Sequence, residues 1–146
     1  MRAALDCVFC QISRGESPAS FVYQDDAVMA FMDIQPVNPG HLLVVPRAHR
    51  ELMHQYDELT LTRVWQVVHR LAGALRRSGA PCEGLNLFVA DGEAAFQDVP
   101  HFHVHLIPRV NGDGFGLTFP PGYEQLPPRS QLNAWAAAIR GALVPT

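Results

Sequence analysis

Three histidines alternate with large apolar residues in the segment His101-Phe102-His103-Val104-His105-Leu106-Ile107. Such alternation is typical of a half-buried strand, in which successive side chains point to opposite faces. We therefore expect Phe102, Val104 and Leu106 to face the core and the three imidazoles to share the other face. A solvated strand surface accounts for one histidine, but three of the seven in this chain in strict alternation favour a chemical role.

The spacing of this row limits what it can bind. Same-face positions on a strand lie about 6.6 to 6.8 Å apart, so His101 and His105 should be separated by about 13 Å. One metal ion cannot easily collect all three rings, because zinc–nitrogen bonds are only about 2.0 to 2.1 Å long. Single histidines of the row, or neighbouring pairs, can bind metal, and the remaining histidines then need another role. Imidazole attacks phosphorus when neutral and donates a hydrogen bond when protonated, which suits phosphoryl chemistry.

A second group with metal-binding character stands near the start of the sequence. Cys7 and Cys10 have the Cys-x-x-Cys spacing that is typical of half a tetrahedral zinc site. A redox pair is the alternative, but it needs a helix start in a β-α-β setting, which this pattern lacks. Three cysteines in 146 residues are too few for a disulfide scaffold, so we expect a reducing compartment and a cytoplasmic protein.

The elements that must position these residues follow from periodicity. Apolar residues at helical spacing predict a helix over 60–78, with Gly79 as its left-handed cap. Strands are predicted over 21–24, 27–33, 41–46, 85–90 and 102–108. A Gly- and Pro-rich loop over 111–128 leads to a last helix that Ser130 would cap, with an apolar side of Leu132, Trp135, Ile139 and Leu143. No regular β-α-β alternation occurs, so the order predicts an α+β domain with a mostly antiparallel sheet.

Composition argues against several classes of protein. A length of 146 residues with 48% hydrophobic content fits one compact domain over residues 1–146. The net charge of −3 gives no basic footprint, so long nucleic acid is not an expected partner. No stretch reaches the roughly 18 to 20 apolar residues of a membrane span, and the first ten residues do not have the pattern of a signal sequence.

On these residues the chain resembles the histidine-triad (HIT) family, whose signature is three histidines each followed by an apolar residue. The resemblance covers about residues 7–109 and leaves 110–146 as a C-terminal loop and helix. The layout is most similar to bacterial members of the nucleotide-binding (HINT-like) branch. The matching motifs are Cys7-Val8-Phe9-Cys10-Gln11-Ile12, Gly15-Glu16, Asp33-Ile34-Gln35-Pro36, Asn38-Pro39-Gly40-His41, Pro46-Arg47-Ala48-His49, Gln97 and the triad with Ile107-Pro108-Arg109.

The resemblance implies a fold, an assembly and an activity. The fold would be an antiparallel five-stranded sheet with one main amphipathic helix and a C-terminal helix, assembled as a homodimer. The activity would be that of a nucleotide hydrolase or transferase acting at the α-phosphorus of nucleoside phosphoramidates, dinucleoside polyphosphates or related conjugates. His103 matches the nucleophile that forms a nucleotidyl-histidine. His105 and His41 match positions that hydrogen-bond the phosphate or hold the nucleophile in its reactive tautomer.

The resemblance also implies how a purine nucleotide would be held. Asp33 matches the carboxylate that takes both ribose hydroxyls. For Phe31 and Ile34 core packing is an alternative to a role in the base pocket. The full set of binding positions adds to Asp33 an apolar pocket of Phe9, Phe31 and Ile34 around the base, the amides of Asn86 and Gln97 near the phosphate, and Asp98.

Two positions depart from the family pattern. Asp98 stands where many relatives have a small hydroxyl residue that contacts the phosphate or leaving group, and a carboxylate there would repel an anionic substrate. Phe96 replaces a commonly found glycine, which would change how its loop approaches the substrate. The Asp98 departure therefore bears on the leaving-group preference, and the Phe96 departure bears on the approach of the loop.

The resemblance completes the metal site as well. His49 and the first triad histidine, His101, would join Cys7 and Cys10 around a structural zinc ion. Two rival functions stay open beside the transferase. One is a metallohydrolase in which zinc activates water and the triad is mainly ligand, and the other is a module that binds nucleotides or partner proteins without turnover.

Overall fold

The computed structural model describes residues 6–145, which form two compact units, residues 6–115 and residues 116–145. The elements of the first unit, in chain order, are α1 (Val8–Ser13), β1 (Phe21–Gln24), β2 (Val28–Met32), β3 (Leu42–Pro46), α2 (Glu58–Arg77), β4 (Gly84–Phe88) and β5 (Val104–Arg109), with 3₁₀ turns at Met53–Gln55 and Glu93–Ala95. The second unit contains α3 (Arg129–Gly141). The single domain over residues 1–146 stays a prediction.

The five strands of the described chain form one sheet in the order β1-β2-β3-β5-β4, and every neighbouring pair is antiparallel. This arrangement confirms the predicted α+β class and the antiparallel sheet. β1 and β2 form a hairpin, and Asp25 Oδ1 accepts hydrogen bonds from the N–H groups of Ala27 and Val28 at its turn. The predicted apolar strand over 41–46 is β3, whose five residues are all buried at the centre of the sheet.

Both faces of the sheet are covered. On one face α2 packs against a core that includes Phe102, Val104 and Leu106, as their alternation predicts. On the other face α1 packs against apolar residues of β2 and β3. Periodicity does not predict α1, because its six residues make fewer than two helical turns. The histidines that alternate with the core residues therefore lie on the α1 side of the sheet.

The main helix begins earlier than its apolar spacing predicts. α2 begins at Glu58 rather than at residue 60, because Asp57 caps it by accepting a hydrogen bond from the N–H of Thr60. The helix ends at Arg77, and Gly79 has a φ of +88°, which confirms the left-handed residue predicted after its end.

The second unit consists of an irregular segment followed by α3. Ser130 does not cap this helix as predicted: Pro128 is the N-cap residue, and no side chain makes a capping hydrogen bond. The physical reason is that proline, which fixes its own φ and lacks an N–H, serves at a helix start without a side-chain partner. Trp135 and Ile139 are exposed along α3, and Leu143 lies beyond its end. None of the helices in residues 6–145 combines the length and apolar character that crossing a membrane requires.

Candidate active site

The histidine row is divided between a strand and the loop before it, which corrects the prediction that all three lie on one strand. β5 begins at Val104, which pairs with Val44, so only His105 lies in the ladder. Pro46 has no N–H to continue the ladder. Its carbonyl instead accepts a hydrogen bond from His101 Nε2 at 2.7 Å, and the N–H of Phe102 donates to the carbonyl of Arg50. The ring centroids of His103 and His105 lie 4.8 Å apart.

His103 is held in a single neutral tautomer. Its Nδ1 lies 2.7 Å from the backbone carbonyl of His101, and because a carbonyl only accepts, Nδ1 carries the proton. Burial lowers the pKa of His103 below its ordinary value of 6.5, so the ring is neutral near pH 7. Nε2 therefore keeps a free lone pair, which is the form of imidazole that attacks an electrophile.

A second fixed proton arrangement runs through His41 and His105. The N–H of Val37 donates to His41 Nδ1 at 3.0 Å, so the proton of neutral His41 is on Nε2. His41 Nε2 donates in turn to His105 Nδ1 at 2.9 Å, which leaves the His105 proton on Nε2. Burial lowers the pKa of His41 and lowers the pKa of His105 to about 4, so both rings are neutral near pH 7. His105 thus offers an N–H donor beside the lone pair of His103.

A tight turn positions His41, the first histidine of this hydrogen-bonded pair. Gly40 has a φ of +92°, and a Cβ there would approach the side chains of Leu75 and Pro108 to 3.3 Å. The amide of Asn38 donates to the carbonyl of Pro108 at 2.8 Å, which ties the turn to the end of β5. The Asn38-Pro39-Gly40-His41 motif therefore positions His41 and the Val37 N–H that fixes its tautomer.

A cavity of about 280 Å³ lies over His103 and His105. Phe9 packs edge-on against His103, with ring centroids 5.0 Å apart, and against Phe31 at 5.5 Å. Asp33 Oδ2 lies 3.5 Å from His41 Nε2, at the polar side of the cavity. The predicted site residues that line this cavity are Phe9, Phe31, Asp33, Ile34, Asp98, His103 and His105.

Two predicted binding residues lie apart from this cavity lining. Asn86 Oδ1 accepts a hydrogen bond from Arg109 Nη1 at 2.6 Å, within a separate hollow lined by residues 83–86 and 109–115. Gln97 is bonded at both ends of its amide, to the carbonyl of Glu51 and to the N–H of Gly92. Gln97 thereby fixes the loop over 92–97, and a phosphate contact by either amide stays a prediction.

The loop before the histidines carries the two unusual residues. Phe96 has a left-handed backbone with φ 65° and an 87% exposed side chain, and glycine adopts this backbone conformation more readily than phenylalanine does. The Asp98 carboxylate is 73% exposed, and its Oδ1 lies 3.6 Å from His103 Nε2. Asp98 therefore faces the same space as the reactive lone pair.

A cluster of two cysteines and two histidines lies beside the cavity. Its four donor atoms are the Sγ atoms of Cys7 and Cys10 and the Nδ1 atoms of His49 and His101. Four separations between them are 3.2, 3.3, 3.4 and 3.7 Å. A tetrahedron with zinc–nitrogen and zinc–sulfur bonds of about 2.0 to 2.3 Å has edges of about 3.3 to 3.8 Å. The donor set and its spacing fit a zinc ion.

The groups around the cluster are arranged for metal binding. His101 Nε2 donates to the carbonyl of Pro46, so its Nδ1 points a lone pair at the cysteines. Burial, reinforced by the neighbouring Cys7, disfavours the thiolate of Cys10 and raises its pKa to about 11. A bound cation would favour the thiolate and lower this pKa. Cys7 lies at the start of α1, but the sheet pairings are antiparallel, so the β-α-β redox setting is not present in the described chain.

Sequence patterns missed the backbone groups that define this site. The carbonyls of Pro46 and His101 and the N–H of Val37 each fix one histidine tautomer. Main-chain groups are present at every residue, so no side-chain pattern marks them. Pro46 and the Asn38-Pro39-Gly40 turn are the local signals that could have located two of them.

The comparisons agree with this geometry. The HIT domain model matches residues 14–112. A HIT family protein from Bacillus subtilis, known from its crystal structure, is 34% identical, with a TM-score of 0.86 over 97% of this chain and 99% of its own. A Zn-bound histidine triad family protein from Mycobacterium smegmatis is 34% identical, with a TM-score of 0.73 over 97% and 100%. An adenosine 5'-monophosphoramidase from Candida albicans is 32% identical over 124 residues, covering 82% of both chains. The chain belongs to the HIT family.

Proposed function

We propose that this protein is a nucleotide hydrolase or transferase that cleaves nucleoside phosphoramidates and related conjugates at the α-phosphorus through a nucleotidyl-histidine on His103. The observation that carries the proposal is the free Nε2 lone pair of His103, fixed by the Nδ1–H bond to the His101 carbonyl and facing the cavity. The adenosine 5'-monophosphoramidase similarity supports the same reaction class.

The reaction has two steps. His103 Nε2 attacks phosphorus and forms an N–P bond while the bond to the leaving nitrogen breaks. The electron pair goes to that nitrogen, which takes a proton from solvent and departs as an amine. The ring becomes an imidazolium whose Nδ1–H stays bonded to the His101 carbonyl, and the carbonyl dipole stabilises the new charge. His105 Nε2–H donates to a phosphoryl oxygen.

Water completes the turnover. A water molecule attacks the nucleotidyl-histidine, the N–P bond breaks and its electron pair returns to Nε2. One proton of the water passes to solvent, and the mononucleotide leaves. His41 acts through His105, because its Nε2–H occupies His105 Nδ1 and so keeps the other ring nitrogen a donor.

The nucleoside half of the substrate occupies the apolar part of the cavity. Phe9 and Phe31 provide the walls for a purine base, and the half-buried Asp33 accepts hydrogen bonds from both ribose hydroxyls. Ile34 is 98% exposed, so it contributes to this pocket only by packing on a bound base.

The Cys7, Cys10, His49 and His101 cluster holds a structural zinc ion in this proposal. Four protein donors complete a tetrahedral shell and leave no position for water, which is the arrangement of structural rather than catalytic sites. The metallohydrolase alternative requires an open position and gains no support from this cluster. The ion ties α1 to the loop that precedes β5.

We also propose a homodimer in the cytoplasm. β4 is an edge strand whose Leu87 and Phe88 are 49% and 41% exposed, and an unpaired apolar edge is a template for pairing with another strand. Three cysteines in 146 residues are too few for a disulfide scaffold, and two of them belong to the proposed zinc cluster, which favours a reducing compartment.

The test of the proposed reaction is a trapping experiment. Rapid quench with a labelled adenosine phosphoramidate, followed by peptide mapping, should find an acid-labile adduct on His103. His103→Ala should retain nucleotide affinity and lose more than the roughly 10²- to 10⁴-fold in kcat that one general acid or base contributes. His69→Ala, which removes an exposed histidine of α2, is the matched control. An adduct on another histidine, or substantial turnover by His103→Ala, would overturn the proposal.

A further inference from the structure

The space above His103 is unusual for a site that handles phosphate, because it holds no fixed positive charge. All eleven basic residues of the chain are arginines, and none of the described residues lining the cavity is one of them. Two carboxylates, Asp33 and Asp98, do line it. Neutral histidines must therefore hold the phosphoryl oxygens. The rest of the substrate meets the negative charge of these two carboxylates.

Asp98 lies within electrostatic range of the leaving group. Its Oδ1 accepts a hydrogen bond from the N–H of Val99 at 2.9 Å, which orients the carboxylate, and lies 3.6 Å from His103 Nε2. A phosphorus atom poised for attack lies about 3 to 3.5 Å from Nε2, and the leaving atom about 5 Å from it on the far side. That atom therefore lies no more than about 9 Å from the Asp98 carboxylate, comparable to the Debye length of about 8 to 10 Å in physiological salt.

The other carboxylate has a different position. Asp33 approaches His41 and His105 and accepts a hydrogen bond from the N–H of Gln35, at the polar wall beside the apolar pocket. Asp98, by contrast, is exposed at the cavity mouth. Among the described residues, His103 is the basic side chain within ion-pair distance of it. An entering cationic group can pair with it without displacing an arginine.

We propose that Asp98 is a specificity-determining residue that selects conjugates whose leaving group carries a positive charge and rejects those whose leaving group is anionic. This inference rests on the proposed function. The preferred substrates are nucleoside phosphoramidates of diamines or other amines with a second ammonium group. When the P–N bond breaks, the electron pair goes to the bonded nitrogen, which takes a proton from solvent, while the distal ammonium group stays paired with Asp98.

The expected effect is moderate because Asp98 is 73% exposed. Solvent-exposed charge pairs change an equilibrium by about 1.4-fold to 5-fold each. The ratio of kcat/KM for a substrate with a cationic leaving group to kcat/KM for one with an anionic leaving group includes one attraction and one repulsion. Asp98 should therefore change this ratio by about 2-fold to 30-fold.

Three adenosine phosphoramidates of matched length test the inference, with leaving amines of 1,3-diaminopropane, propylamine and β-alanine. kcat/KM is measured for wild type, Asp98→Asn, Asp98→Glu and the control Glu93→Gln, which removes an exposed carboxylate from the same loop outside the cavity lining. Asp98→Asn should reduce the ratio of the cationic to the anionic substrate by about 2-fold to 30-fold. Asp98→Glu and Glu93→Gln should keep the wild-type ratio, and 0.5 M NaCl should lower it in wild type.

The outcomes separate the two proposals. If wild type cleaves the neutral propylamine conjugate and Asp98→Asn leaves the charge ratio unchanged, the role of Asp98 is wrong while the proposed reaction stands. A merely structural role for Asp98 would lower kcat/KM for all three substrates by the same factor, which also contradicts the inference. If wild type cleaves none of the three, the proposed reaction fails and the inference fails with it.

Discussion

Removing metal from the Cys7, Cys10, His49 and His101 cluster should lower the melting temperature of this protein. The four donors lie at the edge lengths of a zinc tetrahedron, and the unfolded chain lacks that geometry, so a bound ion would stabilise the folded chain. Zinc at about a thousand times its Kd stabilises the folded state by about 4 kcal/mol. A domain of this length shifts by about 2 to 4 °C per kcal/mol, which predicts a loss of about 8 to 16 °C.

Elemental analysis of protein purified without chelators should give about one zinc per chain, and calorimetry should show the loss after chelation. Cys10→Ser should reproduce it, whereas Cys82→Ser, which removes a cysteine outside the cluster, should not. The Cys10 thiol must lose its proton to bind, so the zinc-dependent increase should become smaller as the pH falls. Metal-free protein that melts at the same temperature, or zinc bound equally by Cys10→Ser, would refute this reasoning.

Three further predictions concern the cavity and its loop. Asp33→Ala should weaken binding of ribonucleotides by about 1 to 3 kcal/mol while binding of deoxyribonucleotides changes less, as measured by calorimetry; equal losses would contradict the ribose role. Burial lowers the pKa of His105 from 6.5 to about 4, so the unfolded chain binds a proton that the folded protein excludes between these values. The free energy of unfolding is therefore unaffected by His105 above pH 6.5 and falls by about 3 kcal/mol as the pH drops to about 4. His105→Asn should flatten this pH dependence in urea titrations. Because Phe96 has φ 65°, Phe96→Gly should be more stable to urea than Phe96→Val by about 1 to 2 kcal/mol, and equal stabilities would count against strain.

Local patterns predicted the main elements of the fold because those elements are set by local chemistry. The apolar period of α2 and the buried run of β3 follow from which side chains must leave water, and both are where the sequence indicates. The start of α2 was displaced because a cap, Asp57, rather than an apolar residue, begins the helix. α1 was missed because a six-residue helix has no period to detect.

Sequence patterns predicted on which side of the sheet the histidines lie, but not which ring nitrogens carry protons. Alternation put Phe102, Val104 and Leu106 in the core and the histidines on the opposite side. The prediction that all three histidines lie on one strand was wrong because Pro46, a residue distant in sequence, ends the β3–β5 ladder and its carbonyl accepts a hydrogen bond from the His101 ring. The tautomers of His41, His103 and His105 depend on such tertiary contacts, so no spacing rule could give them.

The Cys7, Cys10, His49 and His101 cluster and the candidate active site share one residue, His101. The side chain of His101 offers Nδ1 to the cysteines, while its backbone carbonyl accepts the Nδ1–H of His103. Whatever fixes the imidazole of His101 therefore also fixes the carbonyl that determines which nitrogen of His103 carries the proton. A structural ion at the cluster would act on the reaction without touching the substrate, by holding this peptide in place. The two-residue step from His101 to His103 matters for this reason, since it brings the His103 Nδ1–H to the carbonyl of His101.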